Sequence, residues 1–174
     1  MKVFRAADVE EFQEIRNFYW DLIDAMQEQQ DRIGWKKGIY PTEEYIKDSL
    51  LKKECYTMRD GEKLCACVIL NSASNPGYQD ARWKGDYLSE EVLVLHALAV
   101  CPTLQGQGVG RELVNEILTT AKEKKKKAIR LDILGTNAAA ERLYTQAGFQ
   151  FVETKKLFYE DTGWTDYKLF QLPL

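Results

Sequence analysis

Apolar positions along the chain follow two rhythms, and the change from one to the other marks out its elements. KVFRAA near the start alternates with a period of two, as a half-buried strand does. After Asp8, a residue suited to capping, Val9, Phe12, Ile15, Tyr19, Leu22 and Met26 recur at spacings of three and four, which predicts an amphipathic helix. Its other side carries Glu11, Glu14, Asp21, Asp24 and Glu28, a solvated face. Residues 31–41 break the helix with two glycines and Pro41 but keep Trp35 and Tyr40, aromatics that either plug a core or line a site. Thr42 caps a second helix that turns Tyr45, Ile46, Ser49 and Leu50 inward. Two apolar runs meeting at Asp60-Gly61 then predict a β-hairpin. Within it Cys65 and Cys67, two apart on a strand, are expected on one face as small hydrophobes. Residues 73–90 are polar and turn-rich yet hold Tyr78, Trp83 and Tyr87, a connection long enough to form a rim or lid.

The run VLVLHALAV (92–100) is the most continuous apolar stretch and predicts a central strand covered on both faces. Strict alternation would set Val92, Val94 and His96 on one face, with Leu93, Leu95 and Ala97 on the other. Pro102 ends regular pairing, and a helix runs from about Gly108 to Lys126, its closing lysines placed to offset the helix dipole in solvent. AIRLDIL (128–134) is the next strand, parallel to the central one because a helix links them. A further helix spans GTNAAAERLYTQAGF, with Asn137 as cap and Gly148 as stop, and two strands around Asp161–Gly163 close the chain. This order predicts one α/β domain with a mixed sheet.

Composition narrows the function classes. A chain of 174 residues with 45% hydrophobic and 29% charged content suits a single domain. The net charge of −3 gives no reason to propose nucleic acid or an anionic membrane as partner. No apolar run approaches a membrane span, and the start lacks a signal-peptide core, so a cytoplasmic protein is expected. Cys55, Cys65, Cys67 and Cys101 form no CxxC, and His96 is the only histidine, so free thiols and no metal are expected.

Chemistry concentrates after the central strand, in QGQGVGR (105–111). Glycines at 106, 108 and 110 let a ligand approach the main chain, and a helix start offers unpaired N–H groups, which suits phosphate or pyrophosphate. Arg111 can add a full charge. A P-loop fails because no Lys-Ser or Lys-Thr follows, and a dinucleotide fingerprint fails because the spacing is GxGxG. The remaining pattern, Gln105-x-x-Gly108-x-Gly110, resembles the signature loop of the GNAT superfamily of N-acetyltransferases, which holds the pyrophosphate of acetyl-coenzyme A. The element order is similar to the GNAT fold across nearly the whole chain, closely over 92–111 and 129–149. That resemblance implies a mostly antiparallel sheet of about seven strands with a central parallel pair, flanked by about four helices. It divides the chain into an acceptor-side part (1–90), an acetyl-CoA core (91–150) and a closing strand pair (151–174).

The resemblance also implies direct acetyl transfer from acetyl-CoA to an amine of a small molecule or peptide. A lysine-like amine is free in only about one molecule in 2,500 at pH 7, so a base helps. Asn137, Ala140, Tyr144, Gly148 and Phe149 match a family pattern in which the tyrosine meets the departing thiolate. Reference pKa values make that proton transfer uphill by about 2 kcal/mol, so Tyr144 fits a hydrogen-bond donor that gives its proton late. Asn137 would touch the pantetheine arm, though capping alone also explains it. His96, followed by Ala97-Leu98-Ala99-Val100, resembles a segment of arylalkylamine N-acetyltransferases linked to proton removal. It is either the base or a satisfied core histidine, with Glu90 and Glu91 in reserve. Leu98, Ala99 and Val100 match the place where the family's strand splays to receive the pantetheine. Gln105, Gly106, Gln107, Gly108, Val109, Gly110 and Arg111 would take the pyrophosphate. Trp35, Tyr40, Trp83, Tyr87 and Glu91 are the expected acceptor walls. A GNAT fold that only senses acyl-CoA is the alternative, and pairing of two copies through the last strands is open.

Overall fold

A computed structural model describes residues 1–29 and 33–174, so the start of the predicted 31–41 break lies outside the described residues. Seven strands form one sheet in the order β1-β2-β3-β4-β5-β7-β6. They are β1 Lys2–Ala6, β2 Cys55–Asp60, β3 Lys63–Asn71, β4 Val92–Val100, β5 Ala128–Leu134, β6 Gln150–Tyr159 and β7 Gly163–Pro173. Only β4 and β5 are parallel; every other neighbour is antiparallel. Among the described residues four α-helices flank it: α1 Phe12–Ala25, α2 Glu43–Leu51, α3 Val109–Glu123 and α4 Ala138–Gln146.

Local chemistry explains these boundaries. A short 3-10 turn at Val9–Glu11 leads into α1, held by the Asp8 N–H donating to the Glu11 carboxylate at 2.7 Å. Thr42 caps α2, its hydroxyl oxygen accepting from the Tyr45 N–H at 3.0 Å. The β2–β3 turn is Gly61–Glu62, with Gly61 at φ +59°.

The sheet divides two layers. On one face α3 packs Leu113, Val114, Ile117 and Ala121 against Leu93, Leu95, Ile129 and Leu131. On the other, α1 and α2 bury Ile15, Tyr19, Leu22, Ile46 and Leu50 over β2–β4. The 73–90 connection covers the rest of that face, burying Tyr78 among Val92, Val94, Leu157 and Leu169.

Two bulges overturn the expected facing. The β2–β3 register shifts at Met58/Arg59, so Cys65 joins the α3 side and Cys67 the α1 side. In β4 four residues, His96 to Ala99, span what three do in β3, Cys67 to Ile69. Ala97 takes the left-handed φ of +50° there and leaves the face of Leu93 and Leu95. The helix expected to reach Lys126 ends at Glu123, and Lys126 beyond it is not simply solvated: it donates to the Ser72 hydroxyl and the Glu90 carbonyl.

Candidate active site

The parallel pair is short. β4 and β5 match only from Val92/Ala128 to Val94/Arg130, and beyond that point β4 pairs with β3 alone. Main-chain groups on the open edges then need other partners. The Ala97 carbonyl at the bulge accepts from the buried Tyr19 hydroxyl at 2.8 Å. Between the parted strands lies a cavity of about 140 Å³. From one face α4 contributes Asn137, Leu143 and Tyr144; from the other come Asp132, Tyr159, Asp161 and Tyr167. The cavity therefore passes through the sheet.

Tyr144 is buried, edge-on to Phe149 at 5.4 Å between ring centres. Burial pushes its phenol well above the usual range. Its hydroxyl makes no hydrogen bond among the described residues, so the proton stays free for a ligand. Asn137 both lines the cavity and caps α4, its side-chain oxygen accepting from the Ala140 N–H at 3.0 Å.

His96 also borders the cavity. The Asn71 amide is oriented by donating to Glu54 at 3.0 Å and by accepting from the Ala73 N–H at 3.0 Å. Its oxygen, 2.9 Å from His96 Nε2, must then accept from that ring nitrogen. Burial pulls His96 down to about 4, so it is neutral and a weak base at pH 7. Because its folded value lies below 6.5, unfolded chains gain a proton that folded ones refuse as pH drops. Stability should fall by about 3 kcal/mol between pH 6.5 and pH 4 on this account, and His96→Gln should flatten that slope in denaturant melts.

Asp132 went unread in the sequence, although it is the one acidic residue inside the apolar strand AIRLDIL. It accepts from the Tyr159 hydroxyl at 2.6 Å and from the Asn75 amide at 3.3 Å. Burial raises its carboxyl, and those bonds pull the other way without reversing it. Asp161, Tyr159 and Tyr167, equally unforeseen, arrive from the β6–β7 hairpin and carried no local pattern.

The predicted acceptor walls separate. Trp35 and Tyr40 line the cavity. Trp83, Tyr87 and Glu91 do not. Trp83 donates to the Tyr78 carbonyl at 2.7 Å beneath the Arg130 guanidinium, and Tyr87 packs in the same cluster. Glu91 pairs with Lys127 at 2.5 Å and accepts from the Leu88 N–H. Their connection plugs the sheet face instead of rimming the gap, and Glu90 is exposed outside the cavity.

Leu98 lines the cavity, with Ala99 and Val100 continuing β4 away from it. From there a short turn at Pro102–Leu104 leads to Gln105 and the start of α3. The N–H groups of Gly108, Val109, Gly110 and Arg111 have no main-chain acceptor among the described residues. Gly106 and Gly108 have φ of +76° and +87°, and a Cβ on either would meet nothing within 4 Å. They leave the main chain at the start of α3 open to approach. Gly110 differs: a Cβ there would sit 3.4 Å from Leu143, so its bareness lets α3 approach α4. Gln107 folds back to the Thr103 carbonyl at 2.8 Å, and the Gln105 amide lies 3.4 Å from the Val100 carbonyl.

The family model described as Acetyltransferase (GNAT) family matches residues 10–149. The chain belongs to the GNAT family. Among curated relatives, the uncharacterized N-acetyltransferase YesJ of Bacillus subtilis is 32% identical over 107 residues, 62% of this chain and 58% of its own. N-alpha-acetyltransferase RimI of Mycobacterium tuberculosis is 33% identical over 75 residues, 43% of this chain and 46% of its own. The chain thus spans about half the length of these relatives. The structure of yncA from Salmonella typhimurium, which holds its cofactor acetyl-CoA, superposes with a TM-score of 0.70 at 17% identity, covering 100% of this chain and 94% of that one. At that identity the likeness is one of fold. This GNAT chain therefore has the seven-stranded mixed sheet its motifs implied.

Proposed function

We propose that this GNAT chain transfers an acetyl group from acetyl-CoA directly to a primary amine. The observation that carries the reading is the single cavity between β4 and β5, with Tyr144 on one face of the sheet and Asp132 on the other. The open cradle at Gly106–Arg111 fits the pyrophosphate, and acetyl-CoA bound to yncA supports that choice of donor. When bound, acetyl-CoA supplies a thioester with an electrophilic acyl carbon and a thiolate leaving group.

The residues divide the proton work. Asp132, whose carboxyl is raised by burial, accepts a proton from the incoming ammonium at Oδ1 or Oδ2. Tyr144 holds its proton at Oη on the opposite face, where the departing sulfur needs one. Tyr159 and Asn75 fix the Asp132 carboxylate by hydrogen bonds. His96, neutral and bonded to Asn71, shapes the wall and suits the base role less well than Asp132. Leu98, Ala99 and Val100 offer the pantetheine arm a strand edge that β5 leaves free.

A melting experiment tests the donor assignment. Acetyl-CoA at 100 times its dissociation constant should add about 2.7 kcal/mol, or roughly 5–10 °C for a domain of this size, while ATP and NAD should give no shift. Release of free thiol on adding a primary amine would then separate an enzyme from a module that only senses acyl-CoA. No shift at millimolar acetyl-CoA would defeat the assignment.

A further inference from the structure

Among the described residues, the acceptor end of the cavity carries two carboxylates and no cationic side chain. Asp132 and Asp161 both line it, and among the described residues no lysine or arginine does. Asp161 is 7% exposed; burial raises its carboxyl, and the main-chain N–H groups of Asp161 and Thr162 pull the other way. Among the described residues neither carboxylate has a basic side chain within ion-pair distance, although Lys36 acts on Asp161 from farther away. Both carboxylates share the cavity with Tyr40 and Tyr167, and the charge of each acts on both phenols. Burying such groups without a countercharge is costly, and a cationic ligand would remove that cost.

The surrounding rings favour the same kind of ligand. Tyr159 and Tyr167 meet edge to face at 4.9 Å, and Trp35 and Tyr40 at 5.8 Å, all four lining the cavity. Aromatic faces attract ammonium groups that have shed their water. The end is also closed over. A Cβ on Gly34 would lie 2.5 Å from the Thr162 methyl, so the segment before Tyr40 rests directly on the β6–β7 turn. Thr162 is tied in turn to the Tyr167 hydroxyl at 2.7 Å.

We propose that this end of the site selects a small amine with a second positive charge and no carboxylate, Asp132 facing the reacting nitrogen and Asp161 the distal ammonium. The proposal rests on the acetyl-transfer reading for the identity of the pocket. A free amino acid would bring its carboxylate against two like charges in a partly dry site. A peptide chain would have to displace the contact of Gly34 with Thr162.

Three molecules of matched length provide the test: putrescine, pentylamine, which replaces the distal ammonium with methyl, and γ-aminobutyrate, which replaces the distal aminomethyl group with carboxylate. A short alanyl peptide is the fourth. Thiol release with acetyl-CoA should show kcat/KM for putrescine about tenfold or more above pentylamine, and above the other two by more. Asp161→Asn should shrink the putrescine-to-pentylamine ratio about tenfold. Without donor, putrescine should raise the melting temperature of the wild-type protein more than pentylamine does. Pentylamine, γ-aminobutyrate or the peptide equalling putrescine would overturn the proposal, as would a ratio untouched in a folded Asp161→Asn protein. No thiol release with any of the amines, beside a melting shift specific to putrescine, would defeat the transfer reading and leave the binding preference standing.

Discussion

Tyr144→Phe should lower kcat about 100-fold while leaving the dissociation constant for acetyl-CoA within about threefold. The variant removes one oxygen from a buried ring whose other contacts, including the edge-on Phe149, remain. The Tyr144 hydroxyl has no hydrogen-bond partner among the described residues, so its loss strands no buried group and should cost little stability. Its value lies in the proton it can present where negative charge develops on sulfur. Because burial raises the phenol far above the pKa of a thiol, a full early transfer is unfavourable. The effect should therefore depend on the leaving group, smaller for donors whose thiols are more acidic. Steady-state rates with donors of different thiol pKa, beside a binding titration, check this. Unchanged turnover would remove Tyr144 from the chemistry.

Asp132→Asn should separate activity from stability. Turnover at pH 7 should fall about 100-fold, because the amide cannot take a proton from the acceptor amine. Stability at pH 7 should instead rise. Burial lifts the folded carboxyl above its ordinary value of 3.8, so the folded state favours the protonated form. The stabilising protonation is complete below the unfolded value and is lost as pH rises through the folded one, leaving an ionised buried carboxylate as a net cost at neutral pH. An asparagine oxygen can still accept from Tyr159, so the variant drops the charge and keeps the bond. Melting temperatures at pH 4 and pH 7 test the sign, with the gain expected at pH 7. The pH–rate profile should also lose its acidic limb. A variant less stable at pH 7 and equally active would contradict both halves of the argument.

Both predictions depend on residues meeting across the sheet, and that meeting was only partly legible. Tyr144 and Asn137 stood out because their spacing before Gly148-Phe149 resembles the family's pattern, and both line the cavity. The glycine turn was readable because Gly106 and Gly108 adopt positive φ at a helix start, a backbone demand that glycine announces. Gly110 looked the same in one dimension but answers to Leu143 in three. Trp83 and Tyr87 looked like walls because long aromatic connections often serve sites, yet the uncovered face over β5–β7 claimed them as core.

The sequence by itself determined the element order, the hairpin, the caps, the parallel β4–β5 pair and the glycine turn that opens α3. Each depends on residues close together in the chain, where periodicity, capping and glycine conformations act directly. The tertiary structure alone decided the facing of Cys65 and Ala97, since one extra residue in a strand inverts an alternation that no composition marks. It alone brought Asp161 and Tyr167 from the last hairpin to Asp132 and Tyr40. Those contacts form only after the sheet closes, because pairing across long chain separations is set by packing and not by neighbouring residues.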